Sequence, residues 1–444
     1  MITPSPSIEA LLYHAQKEGI LPITSRCNMG CIFCSNAYNP PGCEIFNIPP
    51  RSAEEIEDTI LWLGASRGPV VIGESVTRIN EGEPLTHPEF AEILKLVRKY
   101  YPHRPIKVTT NCSLLDRELI ALLSDLEVEL LVSLNTVGHR ERVMRDPEPE
   151  RTLKNVSALG GKVSFEGSIV ALPFITGWED IRETGRFLKE SGAKLIRLLS
   201  PGFSSRHPLA SYLTPGIWTE IREFSKELAR ELKLPILSEP PEIKDLSARV
   251  EEVLPGSPAR RAHLRSGDVI LRVAGLEVFS RKEAFELARD RENPKISYER
   301  DGVLYDTTLT KEKYESPGFI MYEDLDPEEW FSWERKSGIR RGRNVLILTS
   351  SLAKPVIEKA LEARGLSARV EEVPSLFFGG NIQAGGLLTV RDFVERYREV
   401  TSDGFRPEVV TLPARAFDPW GRDLRGEHYK AFMEETGCPV VISG

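Results

Sequence analysis

Apolar residues in the first half of the chain switch repeatedly between two spacings. Short runs rich in Val, Ile and Leu predict strands over residues 20–24, 76–80, 106–110, 129–134, 163–171 and 195–199. Between them, apolar positions at helical spacing predict helices over 52–63, 87–100, 114–126, 151–159, 178–191 and 215–233. Such a βαβα alternation implies a parallel sheet flanked by helices, doubly wound or barrel-like, with its chemistry at the C-terminal strand ends. Alternation along the fifth run would turn Glu166 and Ser168 toward a barrel lumen.

The pattern changes at the proline-containing stretch 234–242, read as a linker. Beyond it, residues 248–309 carry short strands and one helix, 281–290, without parallel alternation. A connecting piece with Trp330, Phe331 and Trp333 leads to a last α/β unit, with strands at 344–349, 367–373, 409–412 and 440–442 and helices at 352–364 and 390–400. The expected domains are therefore 1–240, 241–313 and 314–444.

Composition narrows the function. A chain of 444 residues with 41% hydrophobic and 28% charged residues is an ordinary globular protein of two to four domains. Its net charge of -8 makes nucleic acid a poor partner. No apolar run is long enough to span a membrane, and the N-terminus lacks a signal-peptide pattern, so a cytoplasmic protein without membrane contact is expected. The 6 cysteines are too sparse for a disulfide scaffold, yet Cys27, Cys31 and Cys34 crowd together.

These three stand in Ser25-Arg26-Cys27-Asn28-Met29-Gly30-Cys31-Ile32-Phe33-Cys34, a C-x3-C-x2-C spacing just after the first predicted strand. Three thiolates on one loop suit three irons of a 4Fe-4S cluster, leaving one iron open to a small molecule. The alternative is a zinc site completed by Cys43, although the gap from Cys34 runs through Pro40, Pro41 and Gly42 and offers no second closely spaced pair.

With this spacing the first 240 residues or so resemble the radical SAM superfamily, and other motifs extend the resemblance. Phe33 is the aromatic that usually precedes the third cysteine. Gly82, Glu83 and Pro84 match a Gly-Gly-Glu-Pro motif, with Glu81 in place of its first glycine. Thr110-Asn111-Cys112 matches a Thr-Asn-Gly segment except at the glycine, and Ser133-Leu134-Asn135 matches a Ser-x-Asp/Asn pair. The resemblance implies a partial (β/α) barrel. It implies a 4Fe-4S cluster held by Cys27, Cys31 and Cys34, and S-adenosylmethionine contacted by Phe33, Gly82, Glu83, Pro84, Asn111, Ser133 and Asn135. Arg142 and Arg145 follow the fourth predicted strand, where a guanidinium pairs well with a methionine carboxylate; Arg145 is taken as the contact. An electron donor such as ferredoxin or flavodoxin is implied as well.

Residues 250–275, including Ser257-Pro258-Ala259, Gly267-Asp268 and Gly275, resemble a PDZ domain. PDZ domains bind peptide strands and terminal carboxylates, which suggests a peptide or protein substrate. The segment 245–249, expected to form the carboxylate nest, lacks the flanking glycine, so the sequence favours a spacer, its edge covered by the connecting segment 318–333. The glycine-rich run 376–388 resembles the domain of unknown function that ends PDZ-containing radical SAM proteins, although in bacterial members the PDZ domain leads.

Two functions follow. One is a radical SAM enzyme that cleaves S-adenosylmethionine reductively to a 5'-deoxyadenosyl radical. The other is an iron-sulfur redox sensor or protein-binding scaffold without turnover.

Overall fold

The computed structural model describes residues 7–34, 37–64, 68–76 and 78–443. The chain divides into two compact units, the first running to Asn39 and from Cys43 to Pro240, the second comprising Pro40–Gly42 and the chain from Pro241 onward.

The first unit is built on six parallel strands: β1 (Val70–Ile72), β2 (Ile106–Thr110), β3 (Val128–Ser133), β4 (Phe165–Val170), β5 (Ile196–Leu199) and β6 (Ile236–Glu239). They lie side by side in chain order. A doubly wound sheet reverses its strand order at a switch point; this one never does, and it is the open, partial barrel that the sequence left as one of two choices. Helices Phe90–Tyr100, Arg117–Asp125, Pro149–Ser157, Pro173–Glu190 and Ile217–Leu232 form the outer layer between successive strands.

Period-two alternation decides what each face carries. Ile106, Val108, Val128, Leu130, Val132, Phe165 and Ile169 are buried in the core. Lys107, Thr109, Glu129, Leu131, Ser133 and Glu166 alternate with them, half-buried on the opposite, inner face. That face is polar and largely paired: Lys107 meets Glu129 at 3.7 Å, and Arg197 bridges Glu166 at 2.8 Å and Glu239 at 2.6 Å. Ser168 shares the inner face as expected, but it is buried.

Three expectations need correction. The run 20–24 is not a strand: only Ile20 bridges to Val71, because the backbone from Ile23 onward bonds to the loop around residue 81. The run 76–80, of which Thr77 lies outside the described residues, is not in the main sheet either. Ile79–Asn80 pairs with Phe46–Asn47, and the strand beside β2 is the shorter Val70–Ile72. The linker 234–242 contains β6, since Pro235 and Pro240 bound that strand without entering it.

In the second unit, strands Ala248–Arg249, Val269–Val273, Leu276–Glu277, Lys295–Arg300 and Val303–Thr308 form an antiparallel sheet beside helix Arg281–Arg289. Asp268, at the turn singled out in the sequence, is buried and takes two charge-assisted hydrogen bonds from Arg300. The edge Glu252–Val253 pairs antiparallel with Phe319–Ile320, so the chain's own connecting segment covers it. The segment 245–249 is engaged elsewhere: the Asp245 carboxylate accepts from Ser247 and pairs with Arg281.

The last part of this unit is a four-stranded parallel sheet in which Val345–Thr349 lies between Arg369–Glu372 and Val409–Pro413, with Val440–Ser443 outermost. Trp330 and Trp333 pack on it, and the Trp333 indole donates to Thr411 at 2.9 Å. The glycine-rich run packs on neighbouring loops of the same sheet: a Cβ on Gly386 would lie 3.1 Å from the Arg415 carbonyl.

Candidate functional site

The cysteine loop is stitched to the ends of three strands. Past β1, the Gly82 and Glu83 amides donate to the Thr24 and Arg26 carbonyls at 2.9 and 2.7 Å. This approach leaves no room for a side chain, because a Cβ on Gly82 would stand 2.0 Å from the Arg26 carbonyl oxygen. Past β2, Asn111 donates to Asn28 at 3.0 Å, and Asn28 donates to Ser113 at 2.8 Å. Past β3, Gly30 and Ile32 donate to the Met144 and Val143 carbonyls of the short helix Arg140–Met144.

Glu83 ties two of these strand ends together. Its buried carboxylate accepts from Thr110 Oγ1 at 2.7 Å, the Asn111 amide at 2.6 Å and the Leu85 amide at 3.2 Å. Burial outweighs these bonds and pushes its pKa up to about 7. Glu81, which replaces the usual glycine, turns its side chain to the Ile23 amide at 2.9 Å, and burial raises its pKa well above the ordinary range. Pro84 is buried and packs beside Gly73.

Asn135 adopts a left-handed backbone, φ 63°, which asparagine tolerates; its side chain accepts from the Val170 amide and reaches Met144. Cys112, in the place of the family's glycine, is held at φ 63° as well, a conformation a cysteine adopts only under strain. It is fully buried, and burial drives its thiol pKa up. Ser133 sits on the inner face opposite Ser168. Phe33 packs into a small cluster with Val143, Met144, Leu172 and Phe203. Arg145 is exposed, with its aliphatic stem against Gly30.

Residues 21–188 match the radical SAM superfamily, and residues 249–298 match the PDZ domain family. The first of these segments is a radical SAM domain. GTP 3',8-cyclase from Paenarthrobacter nicotinovorans is 30% identical over 142 residues, 31% of this chain, and this chain spans 38% of that curated relative's length. Among solved structures, Streptococcus suis SuiB bound to S-adenosylmethionine aligns at 14% identity and a TM-score of 0.36, covering 50% of this chain and 49% of its own. Native anSMEcpe with bound AdoMet aligns at 18% identity and a TM-score of 0.37, covering 49% and 63%.

Within the radical SAM domain the three thiols are near enough to affect one another. Burial first, then Cys27 and Cys34, push the Cys31 thiol up to about 12, and burial raises Cys27. Among the described residues no group of three His, Cys, Asp or Glu side chains is arranged to hold one metal ion, and Cys43 completes no such group.

Sequence reasoning missed Arg140. Arg142 and Arg145 are exposed, whereas Arg140 is 1% exposed and makes a wholly buried ion pair with Asp146 at 2.7 Å. Its Nη1 donates to the Leu134 carbonyl, its charge partly offsets the rise of the Cys31 thiol, and Nη2 has no hydrogen-bond partner. Asn28 was missed too, although its place inside the cysteine motif was a usable signal. Among the described residues no helix is long and apolar enough to cross a membrane.

Proposed function

We propose that the first unit is the core of a radical SAM enzyme whose Cys27, Cys31 and Cys34 hold a 4Fe-4S cluster. The observation that carries this reading is the triple anchorage of the cysteine loop to strand ends on one side of a parallel sheet, where α/β folds gather their chemistry. The donor set suits such a group: Cys27, Cys31 and Cys34 stand on one loop, and Cys27 and Cys34 both bear on the Cys31 thiol. When bound, a cluster of this kind supplies the electron that cleaves S-adenosylmethionine to a 5'-deoxyadenosyl radical.

The chain's own residues position and shield. The Gly82 and Glu83 amides and Asn111 fix the loop on two sides, and Glu83 acts through that scaffold, its carboxylate being occupied by internal donors. Gly82, Pro84, Asn111, Ser133, Asn135 and Phe33 are the residues that would contact S-adenosylmethionine, and the exposed Arg145 guanidinium would pair with its carboxylate. The paired charges of the inner wall favour a polar substrate. A ferredoxin- or flavodoxin-type donor supplies electrons, and the PDZ domain favours a peptide or protein as substrate. We take 1–240, 241–313 and 314–444 as working domains, with the strand Phe319–Ile320 serving the middle one.

Anaerobic reconstitution with iron and sulfide, followed by dithionite and S-adenosylmethionine, tests the reading. 5'-Deoxyadenosine should form with wild type and not with Cys31→Ala. Stoichiometric iron and sulfide without any S-adenosylmethionine turnover would favour the sensor or scaffold, and one zinc per chain would refute the cluster.

A further inference from the structure

The loop after β5 carries a buried histidine to which the reading above gives no task. His207 is 4% exposed; its ring stacks on Phe203 with centroids 3.9 Å apart, and Tyr38 meets it edge-on at 4.5 Å. Phe203 lies in the cluster against which Cys31, Ile32 and Phe33 pack. Ser204 Oγ donates to the Tyr38 carbonyl at 2.8 Å, so the same loop holds the chain on both sides of Cys34.

The neighbours also fix where the proton of the ring sits. Nδ1 accepts the Leu209 amide at 3.0 Å, and burial keeps the ring neutral by lowering its pKa, so the single N–H is on Nε2. That buried donor makes no hydrogen bond of good geometry, and the polar group it faces is the Ile32 backbone carbonyl. A buried donor without an acceptor is destabilising, and the group on its open side belongs to the turn that carries Cys31 and Cys34.

We propose that His207 is a positioning residue for the cysteine loop: its Nε2–H serves the Ile32 carbonyl and so holds the turn that presents Cys31 and Cys34 together. The inference rests on the cluster reading for its purpose, but its test does not. His207→Phe keeps a ring to stack on Phe203 and removes the N–H; His207→Gln restores an N–H. In metal-free full-length protein, iodoacetamide should alkylate Cys31 and Cys34 about fivefold faster in the Phe variant, roughly the worth of one hydrogen bond. The buried Cys438 is the reference, and the Gln variant should fall nearer wild type. After reconstitution, the Phe variant should surrender iron to a chelator faster by a similar factor. Should the Phe variant fail to fold by circular dichroism, His207→Leu carries the same comparison. Alkylation rates equal to wild type overturn the proposal. A wild type that binds no iron and sulfide overturns the cluster reading instead, and the alkylation rates still judge His207.

Discussion

Replacing Gly82 by alanine should unseat the cysteine loop while leaving the barrel intact. The added Cβ would stand 2.0 Å from the Arg26 carbonyl oxygen, 2.4 Å from its carbon and 2.6 Å from the Ser25 carbonyl carbon. Ordinary contact begins at 3.4 Å, so one of two backbone segments must retreat by more than an ångström. Neither can do so by a rotamer change, because every obstructing atom is main chain. The retreat breaks the bonds from Gly82 to Thr24 and from Glu83 to Arg26, at 2.9 and 2.7 Å. At about 1 kcal/mol net for each bond and about 1–3 kcal/mol for overpacking, the loss should be roughly 3–5 kcal/mol if the loop stays docked. A smaller loss in urea unfolding, accompanied by poor iron and sulfide loading, would mean that the loop has detached. The Gly82 backbone is not in the left-handed region, so backbone strain does not enter. A Gly82→Ala protein with unfolding free energy within about 0.5 kcal/mol of wild type and full cluster loading would refute the steric argument.

The Glu83 carboxyl is raised from 4.5 to about 7, so the folded state binds its proton more tightly than the unfolded state does. Its contribution is complete below pH 4.5 and is lost as pH rises through 7; Glu83→Gln should flatten the pH dependence of the urea midpoint across that window, by up to about 3 kcal/mol at 1.36 kcal/mol per pKa unit. Arg140→Met strands the wholly buried Asp146 carboxylate and should cost about 3–5 kcal/mol in urea unfolding, with Arg142→Met as a near-neutral control. In the second unit, a fragment ending at 312 lacks the strand Phe319–Ile320 and the buried Phe319. It should unfold or self-associate where a fragment of residues 242–326 stays monomeric by light scattering.

Much of the barrel was readable because β2, β3, β4 and β5 carry apolar residues, many of them branched, interleaved with polar ones, and the expected bounds fall within a residue or two of the observed ones. The failures have separate causes. Val70–Ile72 is three residues long, too short for a period to register, so the longer run 76–80 near the Gly-Glu-Pro motif took its place. β6 was hidden between prolines that mark its ends. The run 20–24 reads as a strand by composition, but its second half spends its backbone groups on the loop of residues 81–83. At the candidate site, the residues legible in sequence were those whose type is unusual: closely spaced cysteines and a glycine beside Glu-Pro. Arg140 and His207 were not legible, because burial is what gives them interest, and burial depends on elements more than 60 residues distant in the case of His207 and Tyr38.

A sheet whose strands follow chain order also fixes a sequence of assembly. Paired residues of neighbouring strands are separated by only 22 positions for Ile106 and Val128, and by 40 for Ile196 and Ile236, so each strand finds its template in the one made just before it. The loop of Cys27, Cys31 and Cys34 is fastened by residues 82, 83, 111, 143 and 144. All its fasteners except the β5 loop have therefore been synthesised once about a third of the chain is made, and β6 is added last, at the edge of the sheet.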